Sequence, residues 1–154
     1  MSYQPVTEGS VTMHRDTERR FLQAAILVAC LVPLLAGGAG VVKGPAMLSG
    51  IDPGGASADL DSHFRYLSGL LLGMGIGFLF CVPAIEKRTA VFRALGLLAV
   101  LGGLARAYSA LTSGLPGTGH IFGLVMELGT VPLLLLWQAR VARRFAASGT
   151  RQTR

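Results

Sequence analysis

The sequence predicts an all-α integral membrane protein: an antiparallel four-helix transmembrane bundle with both termini cytoplasmic. Three observations carry this. Hydrophobic residues make up 51% of the chain and charged residues only 14%, too apolar a balance for an ordinary soluble domain. The apolar residues gather in four runs of about 20, the length that crosses ~30 Å of hydrocarbon at ~1.5 Å per residue. The 14 Lys and Arg residues lie mostly between and beyond those runs, biased to one side.

At 154 residues the chain has room for one domain. Residues 1–20 form a polar cytoplasmic tail, disordered or weakly helical, with Arg15, Arg19 and Arg20 at its end. The transmembrane domain covers 21–140. Its first span, 21–42, contains Pro33, whose freed carbonyl can be re-satisfied by neighbouring helices or local adjustment. Ala36-Gly37-Gly38-Ala39 offers the small residues of a signal-peptide cleavage site. The apolar core is long for a signal sequence, however, and follows a long polar tail, so the span is expected to be retained. Gly44-Pro45 and Asp52-Pro53-Gly54-Gly55 then signal a loop. The second span, 64–83, stops at Pro83. A short loop with Glu86, Lys87 and Arg88 leads to the third span, 90–111, which holds Arg106. The uncharged loop TSGLPGTG precedes the fourth span, 121–138, with Glu127 inside and Pro132 as a kink. A basic cytoplasmic tail, 141–154, completes the chain.

With four spans, both tails and the middle loop share one side. That side holds eleven of the 14 Lys and Arg residues, and the positive-inside rule makes it cytoplasmic. Short connections make spans 2 and 3, and spans 3 and 4, antiparallel neighbours. Helices in lipid associate through small residues that let backbones approach. Such residues recur every four positions as Gly69, Gly73, Gly77 and Cys81, as Ala99, Gly103 and Ala107, and as Gly119 and Gly123. Cys30 and Cys81 lie in apolar runs and form no CxxC pattern, so neither a structural disulfide nor a metal site is expected.

The stretch LDSHFRYLSG opens the second span with Asp61, His63 and Arg65. Arg65 is in line with Gly69, and Asp61 stands one turn earlier. Arg106 and Glu127 lie roughly 8–9 Å inside the outer ends of spans 3 and 4. All are expected to meet as one polar cluster near the periplasmic face, with His63, Tyr66, Ser68, Tyr108 and His120 around its rim. A charge inside a span costs about 2.5–3.5 kcal/mol on insertion scales, so partners are required. Asp61 and Glu127 balance Arg65 and Arg106, which suits a structural ion-pair network. Intramembrane ionisable residues are equally functional candidates by default.

No GxSxG elbow, HExxH motif or P-loop occurs, and rim histidines make poor haem ligands. No cofactor, metal or nucleic acid is expected, and no catalytic residue is assigned. The reading is a non-enzymatic multi-pass protein whose cluster binds a lipid-like or small polar ligand. A membrane-embedded enzyme or proton-coupled carrier using the same residues is the first alternative. A structural accessory subunit of a membrane complex is the second. Expected partners are the lipid bilayer, a lipid or small-molecule ligand, and another membrane protein or a second copy.

LDSHFRYLSG, GGLARAYS at the end of the third span and LVMELG in the fourth together resemble a family of small four-span bacterial membrane proteins described as a domain of unknown function. The resemblance covers about residues 21–140. It implies a four-helix fold in the bacterial inner membrane, with Asp61, His63, Arg65, Arg106 and Glu127 at characteristic polar positions. It implies no activity.

Overall fold

The computed structural model describes residues 7–48 and 55–149, and side chains from Arg15 to Ala147 within those ranges. The turn signal Asp52-Pro53-Gly54 and the arginines Arg151 and Arg154 lie outside the described residues. Among the described residues every regular element is helical. Helix α1 spans Thr7–Lys43 and passes unbroken through Pro33. It is therefore helical well before Phe21, where the polar tail gives way to the first apolar run. Gly44 ends it with φ 60°, a backbone conformation that glycine adopts without steric cost. A 3₁₀ turn, Gly44–Met47, follows.

Helix α2 spans Ala58–Cys81, so the LDSHFR stretch is already helical. Ser57 explains the early start: its side chain accepts the Leu60 N–H at 3.2 Å, and Asp59 and Asp61 lie in the first turn, where the helix dipole favours anions. A 3₁₀ turn, Val82–Ala84, holds Pro83 and closes α2. Helix α3 covers Thr89–Ser113 and is stopped by Gly114 at φ 94°. The last span is composite: helix α4, Thr118–Val125, a π-helical segment, Met126–Thr130, and helix α5, Val131–Gly149. Four stretches, Arg15–Met47, Ala58–Ala84, Thr89–Ser113 and Thr118–Ala147, are long and apolar enough to cross a membrane, and each contains one of the expected spans.

The spans pack in a cycle, α1 on α2, α2 on α3, α3 on the composite span, and α5 back on α1. The apolar core sits toward one end. Leu22, Ile26 and Cys30 of α1 meet Cys81, Val82 and Ile85 from the α2–α3 connection, Phe92 of α3 and Val141 of α5. Phe78 and Phe92 meet edge-on, with centroids 5.3 Å apart. From this end α1 extends back to Thr7 and α5 on to Gly149.

The glycine pattern is redistributed relative to expectation. A Cβ on Gly69, Gly73 or Gly119 would meet nothing within 4 Å, so these positions do not mediate packing. The reason is geometric: a four-residue row drifts ~40° around the helix per step. Helix α2 instead turns Ser68, Leu72 and Gly75 toward α1. There a Cβ on Gly37 would lie 2.6 Å from the Leu72 nitrogen, and one on Gly75 would lie 3.1 Å from Leu34. Gly77 faces Leu95 of α3, Gly96 faces Leu135, and Gly103 faces Glu127 and Leu128.

Candidate functional site

Of the five polar residues singled out in the sequence, four form two separate ion pairs, Asp61–Arg65 and Arg106–Glu127, and His63 belongs to neither. Arg65 pairs with Asp61 on its own helix and also reaches across to α1. Its Nε and Nη2 donate to Asp61 Oδ2 and Oδ1 at 2.7 and 3.0 Å. Its Nη1 donates to the carbonyls of Val41 and Val42 at 2.5 and 3.1 Å. These carbonyls belong to the last turn of α1, where intrahelical donors have run out and a cation is favoured. Asp61 and Arg65 thus clamp the end of α1 onto the start of α2. Gly44 leaves room for the clamp, since a Cβ there would stand 2.6 Å from both Arg65 Nη2 and Asp61 Oδ1.

Arg106 and Glu127 pair across α3 and the π segment. Arg106 Nε donates to Oε2 at 3.1 Å and Nη2 to Oε1 at 3.2 Å. The arginine side chain is 31% exposed and the glutamate 17%. Gly103 lets α3 approach this closely, because a Cβ there would lie 2.8 Å from the Glu127 Cβ. The guanidinium lies over Gly123, whose added Cβ would be 3.7 Å from Cζ. The π turn is visible in one bond: the Val131 N–H reaches Met126 O, five residues back. Pro132 follows with no N–H to offer Leu128, and the wide turn accommodates that loss. Single π turns inside α-helices recur at functional sites.

Among the described residues no hydrogen bond or ion pair joins the two pairs. His63 and His120 are exposed, as are Tyr66 and Tyr108. Ser68 is buried and donates to its own helix at Phe64 O, 2.8 Å away. Among the described residues no three His, Cys, Asp or Glu side chains converge as metal ligands.

A third polar network, at the core end, has no counterpart in the sequence reading. Gln138 is fully buried; its Nε2 donates to Ile85 O at 2.9 Å and Thr89 Oγ1 at 2.8 Å. Gln23 Nε2 donates to Val82 O at 2.8 Å. Gln23 ties α1 to the 3₁₀ turn around Pro83, and Gln138 ties α5 to Ile85 just past that turn and to the start of α3. Glu18 pairs with Arg140 at 3.2 Å and with Arg144, and Arg19 pairs with Glu86 at 3.7 Å. Lone glutamines at the ends of the first and fourth apolar spans, facing a proline turn with unspent carbonyls, were the available signal.

Four apolar spans around a partly polar interior define a multi-pass helical membrane protein in contact with the lipid bilayer. Residues 21–138 match the family described as a domain of unknown function (DUF4345), and the chain belongs to that family. No curated protein and no solved structure matches the chain.

Proposed function

We propose that the protein is a non-enzymatic protein of the bacterial inner membrane that binds a lipid-like or small polar ligand at the Arg106–Glu127 pair, reached from the periplasmic side. One observation carries this reading. Glu127 engages Nε and Nη2 of Arg106, while Nη1 has no partner among the described residues. That leaves a partly exposed donor beside a π turn inside a span. Arg65, by contrast, spends Nε, Nη1 and Nη2 on the chain itself, which makes its pair structural. The Arg106–Glu127 unit is neutral, so the ligand that suits it brings one acceptor to Nη1, such as a carbonyl, hydroxyl or ester oxygen. A dianionic phosphate would find no net positive charge there.

The periplasmic assignment rests on the charge bias, which supports cytoplasmic termini. In this reading 1–20 and 141–154 are cytoplasmic tails around a transmembrane domain at 21–140. Native mass spectrometry of the gently extracted full chain tests the binding site. The wild type should carry an adduct that Arg106→Gln loses while helicity and monodispersity persist. An adduct kept in Arg106→Gln, or a variant that only misfolds, would leave the pair a structural one.

A further inference from the structure

A groove that neither ion pair enters runs between α1 and the composite span. Ala25, Ala29 and Val32 line one wall and Phe122, Met126 and Thr130 the other, around a volume of about 620 Å³. Toward the chain termini it passes Phe21 and Trp137 and continues into a hollow of about 530 Å³ lined by Glu18 and Arg140. Phe21 and Trp137 line both parts, which makes them one elongated groove. From Phe122 to Trp137 the helical rise is about 22 Å, more than the ~15 Å half-thickness of a bilayer's hydrocarbon. No residue of α4 is buried, so the groove opens sideways toward lipid.

The two ends differ chemically. The long part is almost wholly apolar, with alanines keeping the α1 wall shallow. The short part adds the polar side chains of Thr17, Glu18 and Arg140 to the aromatic wall of Phe21 and Trp137. Glu18 pairs with both Arg140 and Arg144, and the Arg140 side chain is 60% exposed. Among the described side chains at this end, residues 15–20, 86–93 and 140–144 hold nine Lys and Arg against three Asp and Glu. Basic residues beside a membrane span attract anionic lipid headgroups.

We propose that this groove seats one acyl chain of an anionic phospholipid, its headgroup against Arg140. The headgroup end of this site lies at the opposite end of the bundle from Nη1 of Arg106, and the proposal is independent of the binding reading above.

Trp137 is the chain's single tryptophan and lines the groove, so it reports occupancy. The full chain is reconstituted in phosphatidylcholine vesicles containing either brominated-chain phosphatidylglycerol or brominated-chain phosphatidylcholine, and Trp137 quenching is followed. Brominated phosphatidylglycerol should win by about fivefold in apparent affinity, the range expected of one basic residue at the surface. Arg140→Gln should abolish the preference, Arg140→Lys should keep it, and Ala29→Phe should reduce quenching by both lipids. Arg106→Gln should leave all of this unchanged, which separates the two sites. Equal quenching by the two lipids, or a preference surviving both Arg140→Gln and Ala29→Phe, would overturn the proposal. So would shielding of Trp137 that rises with protein density and cross-links two copies, since a second copy would then cover the groove.

Discussion

Arg106 holds Glu127 side-on, through Nε and Nη2, across the approach that Gly103 permits between α3 and the π segment. Removing one partner strands the other charge within a span. Arg106→Gln and Glu127→Gln should each destabilise the purified protein by about 1–3 kcal/mol. The double variant should recover about 1 kcal/mol of the summed loss. Thermal or denaturant unfolding of the four proteins closes the cycle, and strict additivity would mean the pair contributes no coupling.

Glycines that look alike in the sequence should behave differently. Gly37→Ala puts a Cβ 2.6 Å from the Leu72 backbone, where neither helix can yield without separating, and a loss of about 1–3 kcal/mol follows. Gly73→Ala meets nothing within 4 Å and should be neutral or stabilise by up to about 1 kcal/mol through helix propensity. Melting temperatures of the two variants side by side test the assignment of the α1–α2 interface.

Gln138→Leu keeps the volume of a fully buried side chain but takes its donor from Ile85 O and Thr89 Oγ1. Unpaired buried acceptors make this cost about 1–3 kcal/mol. Hydrogen exchange should show the loss first at the 3₁₀ turn and the start of α3. Unchanged protection there would sink the idea that the amide fastens α5 to the α2–α3 connection.

The proposed orientation has a direct readout. A reporter active only in the periplasm should work when fused after Gly114 and fail when fused after Arg88. The reverse pattern would place the Arg106–Glu127 pair near the cytoplasmic face.

The four spans were legible because membrane solvation writes itself into composition: long apolar runs, punctuated by proline and glycine. The Arg106–Glu127 pairing was legible from depth and a short connecting loop. Arg65 was misdirected for a reason local patterns hide. Its partners include the last carbonyls of α1, and the need of those carbonyls for a donor appears only once α1 lies beside α2. The glycine row held at Gly77 and Cys81 and failed at Gly69 and Gly73, because four-residue spacing drifts around a helix and α2 divides its contacts between two neighbours. The arginines at the termini were read only as topological markers, which concealed that Glu18 and Glu86 engage three of them.

The uneven placement of these fastenings has a mechanical consequence. Near the termini, Gln23, Gln138 and the apolar core rivet all four spans together. At the far end the bonds are made two by two: α1 to α2 through Gly37 and the Asp61–Arg65 clamp, and α3 to the composite span through Gly103 and the Arg106–Glu127 pair. A body joined at the base and paired at the tips works like tongs. Fastened this way, the molecule is expected to yield first by parting the two arms about the riveted end, each arm keeping its own ion pair.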